Sequence, residues 1–383
     1  MNKKLALLSS ILATVAIFFS ATVFAKELSL KQKIGQMIII GFKEAELKPD
    51  SAVVKAILAQ QIGGVILFNY DFQTKTYQHN IESPQQLLTL TKQLQGYAQE
   101  AAPKQKNDLI PLLISIDYEG GKVNRLKEDK GFPKTLSAVD IAKVSDAQAA
   151  TYANQMGKVL RDEGINMNFA PVLDVNVNPN NPVIGKLNRS FSSDPNVVAK
   201  YGQLFSKAFH DNGIICAYKH FPGHGSSLDD SHAGFVDVTK TWQSSELTPY
   251  TKLLNQPDSC PMIMMAHIVN YQLDKQGYPA SLSHAITTDL LRKKMNFNGV
   301  VVSDDMQMKA ITDNYGLAQA VRLSINAGTD ILVFGNQLVA TPQNPAEIVD
   351  LIYADVQSGK ISKNRIDEAF ARIMKLKRSL PAS

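Results

Sequence analysis

Short apolar runs alternate with longer amphipathic stretches along most of this chain. The runs are four or five residues long and are rich in aliphatic side chains, which is typical of parallel strands buried on both faces. The alternation predicts a parallel sheet assembled from strand–helix units. The predicted strands are 36–40, 65–68, 112–116, 166–170, 214–218, 262–266, 300–303 and 331–334.

The segments between these strands carry the spacing of helices. Ser83 followed by Pro84 is a typical helix start, because the serine hydroxyl caps free backbone amides and proline suits the first turn. Ser283 stands at the same place before another helical run. The predicted helices are 84–100, 146–163, 196–212, 283–295, 317–326, 345–357 and 363–380.

Eight strands with intervening helices is the number that closes a barrel. We therefore predict an α/β protein, a single-domain (β/α)8 TIM barrel over residues 26–383. An open, doubly wound sheet is the alternative that the same alternation allows. The segment 70–80 departs from the pattern, because it is polar and carries Tyr70, Phe72 and Tyr77. We expect it to be an extended loop over the barrel mouth.

The first 25 residues have the pattern of a secretory signal. Lys3 and Lys4 precede an apolar run over 5–19, and small or aliphatic residues lead to Ala25. The alternative is an uncleaved anchor helix, but the run is shorter than the about 20 apolar residues that span a bilayer. We expect residues 1–25 to be a signal peptide, the protein to be periplasmic or secreted, and no stable membrane anchor to remain after cleavage.

The net charge and the cysteine content give limited information about binding partners and disulfide formation. The formal net charge of +5 falls to +3 when Lys3 and Lys4 leave with the signal. No basic run is present, so nucleic acid is not an expected partner. Cys216 and Cys260 are the two cysteines, and both stand at the start of predicted strands. In an oxidising compartment they can pair, and equally both can be small buried thiols.

Polar residues follow the predicted strands where each strand ends. In a barrel of this kind the carboxyl ends of all strands meet at one face, where the active site is found. Any one of these residues can be a hydrogen-bonded rim residue, but six at one face predict a site. They are Asp117, Asp174, Lys219, His220, His267 and Asp304.

Two segments point to a more specific chemistry. One is KHFPGHG at 219–225 with DDSH at 229–232, and the other is VSDDM at 302–306. Retaining glycoside hydrolysis needs a nucleophilic carboxylate and a separate acid/base. Asp304 at a strand end is held rigidly enough to be the nucleophile. His232 lies on a glycine-punctuated loop, and Asp230 is placed to orient its imidazole and stabilise the charged form.

These motifs resemble those of a known family. Together they are similar to the bacterial β-N-acetylhexosaminidases of glycoside hydrolase family 3, over residues from about 34 to 335. Each piece alone is short, but the set is specific. The matching segments are KHFPGHG, DDSH and SDDM, with IDYEGGKVNR at 116–125, APVLDV at 170–175 and NRSF at 188–191.

The resemblance implies a division of labour and a terminal N-acetylhexosamine as substrate. Asp304 matches the nucleophile, His232 the general acid/base and Asp230 its partner. No metal and no cofactor are implied. The residues that match those holding the N-acetylglucosamine are Asp117, Arg125, Arg189, Lys219 and His220. The natural glycan, a cell-wall fragment or a chitin-type oligosaccharide, stays open.

Tyr118 and Lys122 depart from the family's usual Gln and Arg, and Ser226-Ser227 stands in the catalytic loop where Asp-Thr is common. Larger members carry a further domain after the barrel, for which we expect no room here. We expect His224 to brace its loop, His267 to line the pocket floor and Trp242 to pack in the core.

Three rival functions remain open. A histidine acid/base avoids a second anion near the nucleophile and tolerates phosphate, so a phosphorylase is the nearest alternative. A metal-dependent barrel hydrolase is suggested by the cluster His220, His224, Asp229, Asp230 and His232, although the first strand offers no ligand. A catalytically silent sugar-binding protein would be expected to lack the nucleophile or the acid/base, and both are present.

Overall fold

Eight parallel strands form a closed barrel in the computed structural model, which describes residues 28–72, 74–77, 79–102 and 110–381. The predicted signal peptide, residues 1–25, lies outside the described residues. The barrel strands are β1 Ile38–Gly41, β2 Gly64–Leu67, β3 Leu113–Ile116, β6 Met167–Asn168, β7 Ile215–Phe221, β8 Met262–Met265, β9 Val300–Asp305 and β10 Ile331–Phe334, and β4 Tyr118–Gly120 and β5 Val123–Asn124 form a separate hairpin. The strand order around the barrel is β1-β10-β9-β8-β7-β6-β3-β2.

Closure rests on β1, which pairs in parallel with both of its neighbours. Ile38 is opposite Leu332 of β10, and Ile39 is opposite Gly64 of β2. The strands β1 and β10 approach closely at their ends, because a Cβ on Gly41 would lie 1.8 Å from the carbonyl oxygen of Gly335. The predicted single-domain (β/α)8 barrel is confirmed, and the open sheet is excluded because the first and last strands pair.

The helices surround the barrel and agree with the prediction to within a few residues wherever a long helix was expected. Five short helices were not predicted, since four to seven residues are too few to show a helical period. The helices are α1 Leu30–Gly35, α2 Ala52–Leu58, α3 Pro84–Ala101, α4 Ala138–Ile141, α5 Asp146–Asp162, α6 Pro195–Asp211, α7 Thr248–Leu253, α8 Lys309–Thr312, α9 Leu317–Ala327, α10 Pro345–Gln357 and α11 Lys363–Lys377, with a π-type helix at Ala285–Lys294.

The two predicted helix starts are capped as expected. The Ser83 hydroxyl accepts a hydrogen bond from the backbone N–H of Gln86 at 3.2 Å. The Ser283 hydroxyl accepts from the backbone N–H of Ile286 at 3.1 Å, at the start of the π-type helix. These bonds satisfy amides that have no partner within the helix.

Three strands differ in length from the prediction by two or more residues, and one of them is β9, which runs on to Asp305 rather than ending at residue 303. β6 ends at Asn168 rather than at residue 170, and the chain leaves the ladder before Pro171, which has no N–H to donate. Just before the strand, the Asn166 side chain adds to the backbone pairing, since its Oδ1 accepts from the Ile114 N–H at 2.8 Å while its backbone N–H donates to the Ile114 carbonyl at 3.2 Å. β7 runs on to Phe221, so Lys219 and His220 lie within the strand.

A short hairpin after β3 was not predicted. It consists of β4 Tyr118–Gly120 and β5 Val123–Asn124, paired antiparallel, with Gly120 and Gly121 both at positive φ in the turn. Its strands are three and two residues long, too short for an alternation to be visible in the sequence. The hairpin carries Glu119 and leads into Arg125 at the barrel mouth.

Cys216 and Cys260 form a disulfide, with their Cα atoms 4.9 Å apart. Of the two alternatives open from the sequence, the structure selects pairing.

Among the residues that the structure describes, no helix is both long and apolar enough to cross a membrane.

Candidate active site

A cavity of about 240 Å³ opens at the carboxyl ends of the strands. Its apolar wall includes Ile66, Met264 and Val333. Clefts of about 570 and 700 Å³ lie elsewhere on the surface, but no histidine lines either of them. The smaller cavity is the candidate site, because it is lined by all eight residues to which the sequence motifs assign a catalytic or sugar-binding role, namely Asp117, Arg125, Arg189, Lys219, His220, Asp230, His232 and Asp304.

Asp304 lies near the end of β9, and a backbone N–H of the same strand holds its carboxylate in place. The N–H of Asp305 donates to Asp304 Oδ1 at 2.8 Å. Burial by itself raises the pKa of Asp304, but the imidazoles of His267, His220 and His232 outweigh it and the pKa falls below its ordinary value. The carboxyl group is therefore ionised at neutral pH, the state that a nucleophile requires.

His232 and Asp230 form a hydrogen-bonded pair on the loop after β7. Asp230 Oδ1 accepts from both the Nδ1 and the backbone N–H of His232, each at 2.8 Å. The His232 side chain is 51% exposed, so solvent and ligand can reach it. Burial lowers its pKa, but the bond to Asp230 and the charge of Asp304 outweigh burial and raise the pKa above its usual value. Because Asp230 occupies Nδ1, proton transfer to a ligand falls to Nε2.

A network of two carboxylates and two cations forms one wall of the cavity. Lys219 Nζ lies 2.8 Å from Asp117 Oδ1 and 2.7 Å from Glu119 Oε1. Arg189 donates in bidentate fashion to Glu119, at 2.7 and 2.8 Å. Arg125 Nη2, at the edge of the network, lies 3.4 Å from Asp117 Oδ2. This network holds the side chains that face the ligand in fixed positions.

In this network, the opposite charges of neighbouring groups outweigh the effect of burial on each pKa. Burial raises the pKa of Glu119, but Arg189 and Lys219 together lower it to about 2. Burial also raises the pKa of Asp117, which Lys219 and Arg125 bring below its usual value. For Lys219, burial lowers the pKa, and the two carboxylates raise it above normal. All three groups are therefore charged at neutral pH.

Glu119 is a residue that sequence reasoning missed. It stands two positions after Asp117 in the segment 116–125, so its proximity to the site was visible. What was not visible is that the β4–β5 hairpin directs its carboxylate onto Arg189, 70 residues away. No local pattern carries that information.

Asp174 anchors His220 from below the cavity. The carboxylate is fully buried, and its Oδ2 accepts from His220 Nδ1 at 2.6 Å. Its Oδ1 accepts from the backbone N–H of His224 at 2.8 Å. Burial raises the pKa of Asp174, but the interaction with the His220 imidazole and these hydrogen bonds lower it overall. Its position after a strand predicts only that Asp174 lies at this face, and the contacts show that it orients His220.

His224 braces the catalytic loop, as predicted. Its Nδ1 lies 2.8 Å from Ser227 Oγ and its Nε2 3.2 Å from Ser231 Oγ. Burial lowers its pKa to about 4, so the ring is neutral.

Trp242 is buried, as predicted, and donates from Nε1 to the Pro222 carbonyl at 3.1 Å.

The expectation that His267 lines the pocket floor is wrong. Its side chain is buried beneath the cavity wall, where Nε2 donates to the Asp305 carbonyl at 3.0 Å and Nδ1 accepts from Ser281 Oγ at 2.6 Å. Both ring nitrogens are therefore occupied, and the bond from Nε2 supports the segment that carries the nucleophile. Position at the end of a strand did not reveal this orientation.

The histidine cluster around the catalytic loop is built from imidazole–carboxylate pairs. His220 Nδ1 is bonded to Asp174 and His232 Nδ1 to Asp230. These carboxylates orient the imidazoles. Among the residues that the structure describes, no group of three or more His, Cys, Asp or Glu side chains is arranged to hold a metal ion.

The model of the glycosyl hydrolase family 3 N-terminal domain matches residues 29–376. The chain belongs to glycosyl hydrolase family 3. The resemblance seen in the sequence motifs is thereby confirmed.

Among relatives in this family, Beta-hexosaminidase A of Pseudoalteromonas piscicida is 34% identical over 400 residues, covering 95% of this chain and 63% of that protein. The structure of a family 3 β-N-acetylglucosaminidase from Paenibacillus sp. superposes with a TM-score of 0.81 at 34% identity, covering 93% of this chain and 64% of that one. A β-N-acetylhexosaminidase from Beutenbergia cavernae gives a TM-score of 0.79 at 29% identity, covering 92% and 99%. The chain thus spans just under two thirds of the first two proteins and nearly all of the third.

Proposed function

We propose that this family member is an exported, retaining β-N-acetylhexosaminidase that removes terminal β-linked N-acetylglucosamine from the non-reducing end of a glycan. The observation that carries the proposal is that Asp304 and an Asp230-bonded His232 line one cavity. The names of the related proteins, which are hexosaminidases and N-acetylglucosaminidases, support the same substrate class.

In the first step, Asp304 attacks the anomeric carbon while His232 Nε2–H protonates the glycosidic oxygen. The glycosidic bond breaks, the leaving group departs with the proton, and the sugar is joined to Asp304 as a covalent ester. In the second step, neutral His232 takes a proton from water, and the water oxygen attacks the same carbon and releases Asp304. Two displacements at one carbon retain the β configuration.

The surrounding network is suited to hold the terminal sugar. Asp117 accepts hydrogen bonds from hydroxyl groups, and Lys219 and Arg125 donate to sugar oxygens with a full positive charge. Arg189 and His220 complete the set that we assign to sugar binding. Because Glu119 and Asp174 fix these groups before ligand arrives, little reorganisation is needed on binding.

Export, and a periplasmic or extracellular glycan such as a cell-wall fragment or chitin oligosaccharide, are part of the proposal. The pattern of residues 1–25 is its main support, with cleavage leaving no stable anchor. The disulfide between Cys216 and Cys260 is a second support, since disulfides persist in oxidising compartments.

The test follows one aryl β-N-acetylglucosaminide and one chitin disaccharide by proton NMR. With the aryl substrate, we expect the β anomer of N-acetylglucosamine as the first product, and initial release of the α anomer would contradict the double displacement. Asp304→Asn should lose activity by several orders of magnitude at unchanged melting temperature. Asp313→Asn, a change at an exposed aspartate shortly after β9, serves as the matched control. Wild-type turnover by Asp304→Asn would remove the nucleophile assignment.

Three further measurements distinguish the alternative functions. A sugar 1-phosphate formed in phosphate buffer would identify a phosphorylase, which the histidine acid/base also suits because no second carboxylate repels the phosphate at that position. Loss of activity after chelator treatment, with recovery on adding back a divalent metal, would favour the metal-dependent hydrolase. Tight binding without any product would favour a sugar-binding protein.

A further inference from the structure

Large hydrophobic side chains that are exposed gather around the barrel mouth. Six such side chains occur in the part of the chain that the structure describes, and five of them lie on loops that follow barrel strands. Phe72 and Tyr77 share one loop, and exposed apolar surface concentrated in one place marks a binding surface. The five are Phe72 and Tyr77 after β2, Leu228 and Phe235 after β7, and Tyr271 after β8, and the sixth is Leu58 on α2.

Three rings on the β2 loop form what we call the aromatic patch, namely Tyr70, Phe72 and Tyr77. The Tyr70 ring contacts Phe72 edge-to-face at a centroid distance of 4.9 Å and Tyr77 at 5.0 Å. Phe72 and Tyr77 are 48% and 54% exposed. The rings support one another, and about half of each outer ring still faces solvent.

The loop that carries the patch is held in place. The backbone N–H of Asp71 donates to the Thr76 carbonyl at 2.8 Å, and Lys43 Nζ pairs with Asp71 Oδ2 at 2.9 Å. Asn80 joins the end of the loop to its start, since its Oδ1 accepts from the Phe68 N–H at 3.0 Å and its Nδ2 donates to the Phe42 carbonyl at 2.9 Å. Rings on an anchored loop lose little conformational entropy when a ligand binds.

The patch lies on the same loop as one residue of the active-site cavity. Phe68 lines the cavity, and one residue separates it from Tyr70. The guanidinium of Arg125 lies 5.5 Å from the Phe68 ring centroid, and the His79 ring packs edge-on against Phe68 at 6.1 Å. A ligand that extends from the cavity past Phe68 and along this loop would approach the patch.

We propose that the aromatic patch is a carbohydrate subsite, which binds a pyranose ring of the substrate beyond the one held in the cavity. The inference rests on the proposed hexosaminidase function and extends it to substrate length. One face of a pyranose presents mainly C–H groups, which pack on aromatic rings and withdraw apolar surface from water. The tyrosine hydroxyls and the threonines of the loop, Thr74 and Thr76, offer partners for the sugar hydroxyls at the edge of the patch.

The test compares a substrate that reaches the patch with one that does not. Chitotriose supplies rings beyond the cavity, whereas N-acetyl-β-glucosaminyl fluoride has a leaving group without a ring. We expect the ratio of kcat/KM for chitotriose to kcat/KM for the fluoride to fall roughly tenfold in Phe72→Ala/Tyr77→Ala, about 1.4 kcal/mol. Phe72→Tyr/Tyr77→Phe keeps both rings and should restore the ratio.

Tyr271→Ala is the matched control, because this exposed tyrosine follows β8, which lies half-way around the barrel from β2. Its ratio should equal that of the wild type. An unchanged ratio in an active Phe72→Ala/Tyr77→Ala enzyme would overturn the subsite alone. Wild-type enzyme that turns over neither substrate would instead overturn the proposed function. Self-association of the wild type that the double variant abolishes, with the ratio unchanged, would identify the patch as a contact between copies and also refute the subsite.

Discussion

Replacing Glu119 with glutamine tests whether the carboxylate network prearranges the sugar site. Glu119 is 5% exposed and contacts both Lys219 and Arg189 at 2.7 Å. The glutamine keeps the shape and one acceptor oxygen but removes the charge. Two buried cations then share only the charge of Asp117 and the more distant Asp174.

The size of the effect follows from the pKa of Glu119, which the two cations lower from 4.5 to about 2 against the effect of burial. A difference of about 2.5 pKa units corresponds to about 3 kcal/mol. Because the folded pKa is below the unfolded one, this stabilisation is complete above pH 4.5 and is lost as the pH falls through about 2. At pH 7 the full amount is therefore removed, and a barrel of this length should melt about 4 °C lower.

The assay is thermal unfolding at pH 7 combined with steady-state kinetics on an aryl β-N-acetylglucosaminide. We expect KM to rise more than kcat falls, since Lys219 and Arg189 lose their fixed positions but the Asp304 and His232 pair is untouched. Glu128→Gln, at an exposed glutamate nearby in the chain, is the control and should match the wild type. A melting temperature within 1 °C of wild type together with an unchanged KM would refute the reasoning, a threshold of roughly 0.8 kcal/mol.

Three further predictions concern proton transfer and pH. His232→Ala should lose less activity on substrates with good leaving groups than on chitobiose, because only poor leaving groups need the acid, and equal losses would contradict that role. Asp230→Asn should move the alkaline limb of the kcat/KM profile to lower pH, because Asp230 helps to raise the pKa of His232 against burial; a limb that stays in place would exclude this coupling. Burial raises the pKa of Glu246 from 4.5 to about 7, so the folded state binds the extra proton and wild-type stability should decline from about pH 4.5 to pH 7. Glu246→Gln should lack that decline in melting temperature, and identical pH dependence in both proteins would show that Glu246 does not titrate there.

Much of the fold could be predicted from the sequence because its signals are local. Runs of aliphatic residues mark buried parallel strands, and the caps at Ser83 and Ser283 depend on residues three positions away. The placement of polar residues at strand ends is equally local. Since parallel strands share one carboxyl face, this placement alone predicts that Asp304, Lys219 and His220 line a common cavity, as they do.

Local signals failed where the chain departs from regular spacing. The β4–β5 hairpin is too short to show alternation, and β6 is shortened near a proline. His267 also illustrates the limit. It follows the end of β8 by two residues, but its two ring nitrogens are bonded to Ser281 and Asp305, so its side chain supports the cavity wall and does not face the cavity.

The sequence by itself determined the strand and helix order, the face at which the site lies and the residue types available there. The tertiary structure decided which of those residues act on one another. Closure of the barrel through β1, the disulfide, and the contacts of Glu119 with Arg189 and of Asp174 with His220 all join positions separated by 44 or more residues. Such contacts depend on the register and twist of strands around the whole barrel, and a linear pattern records only the preferences of neighbouring residues.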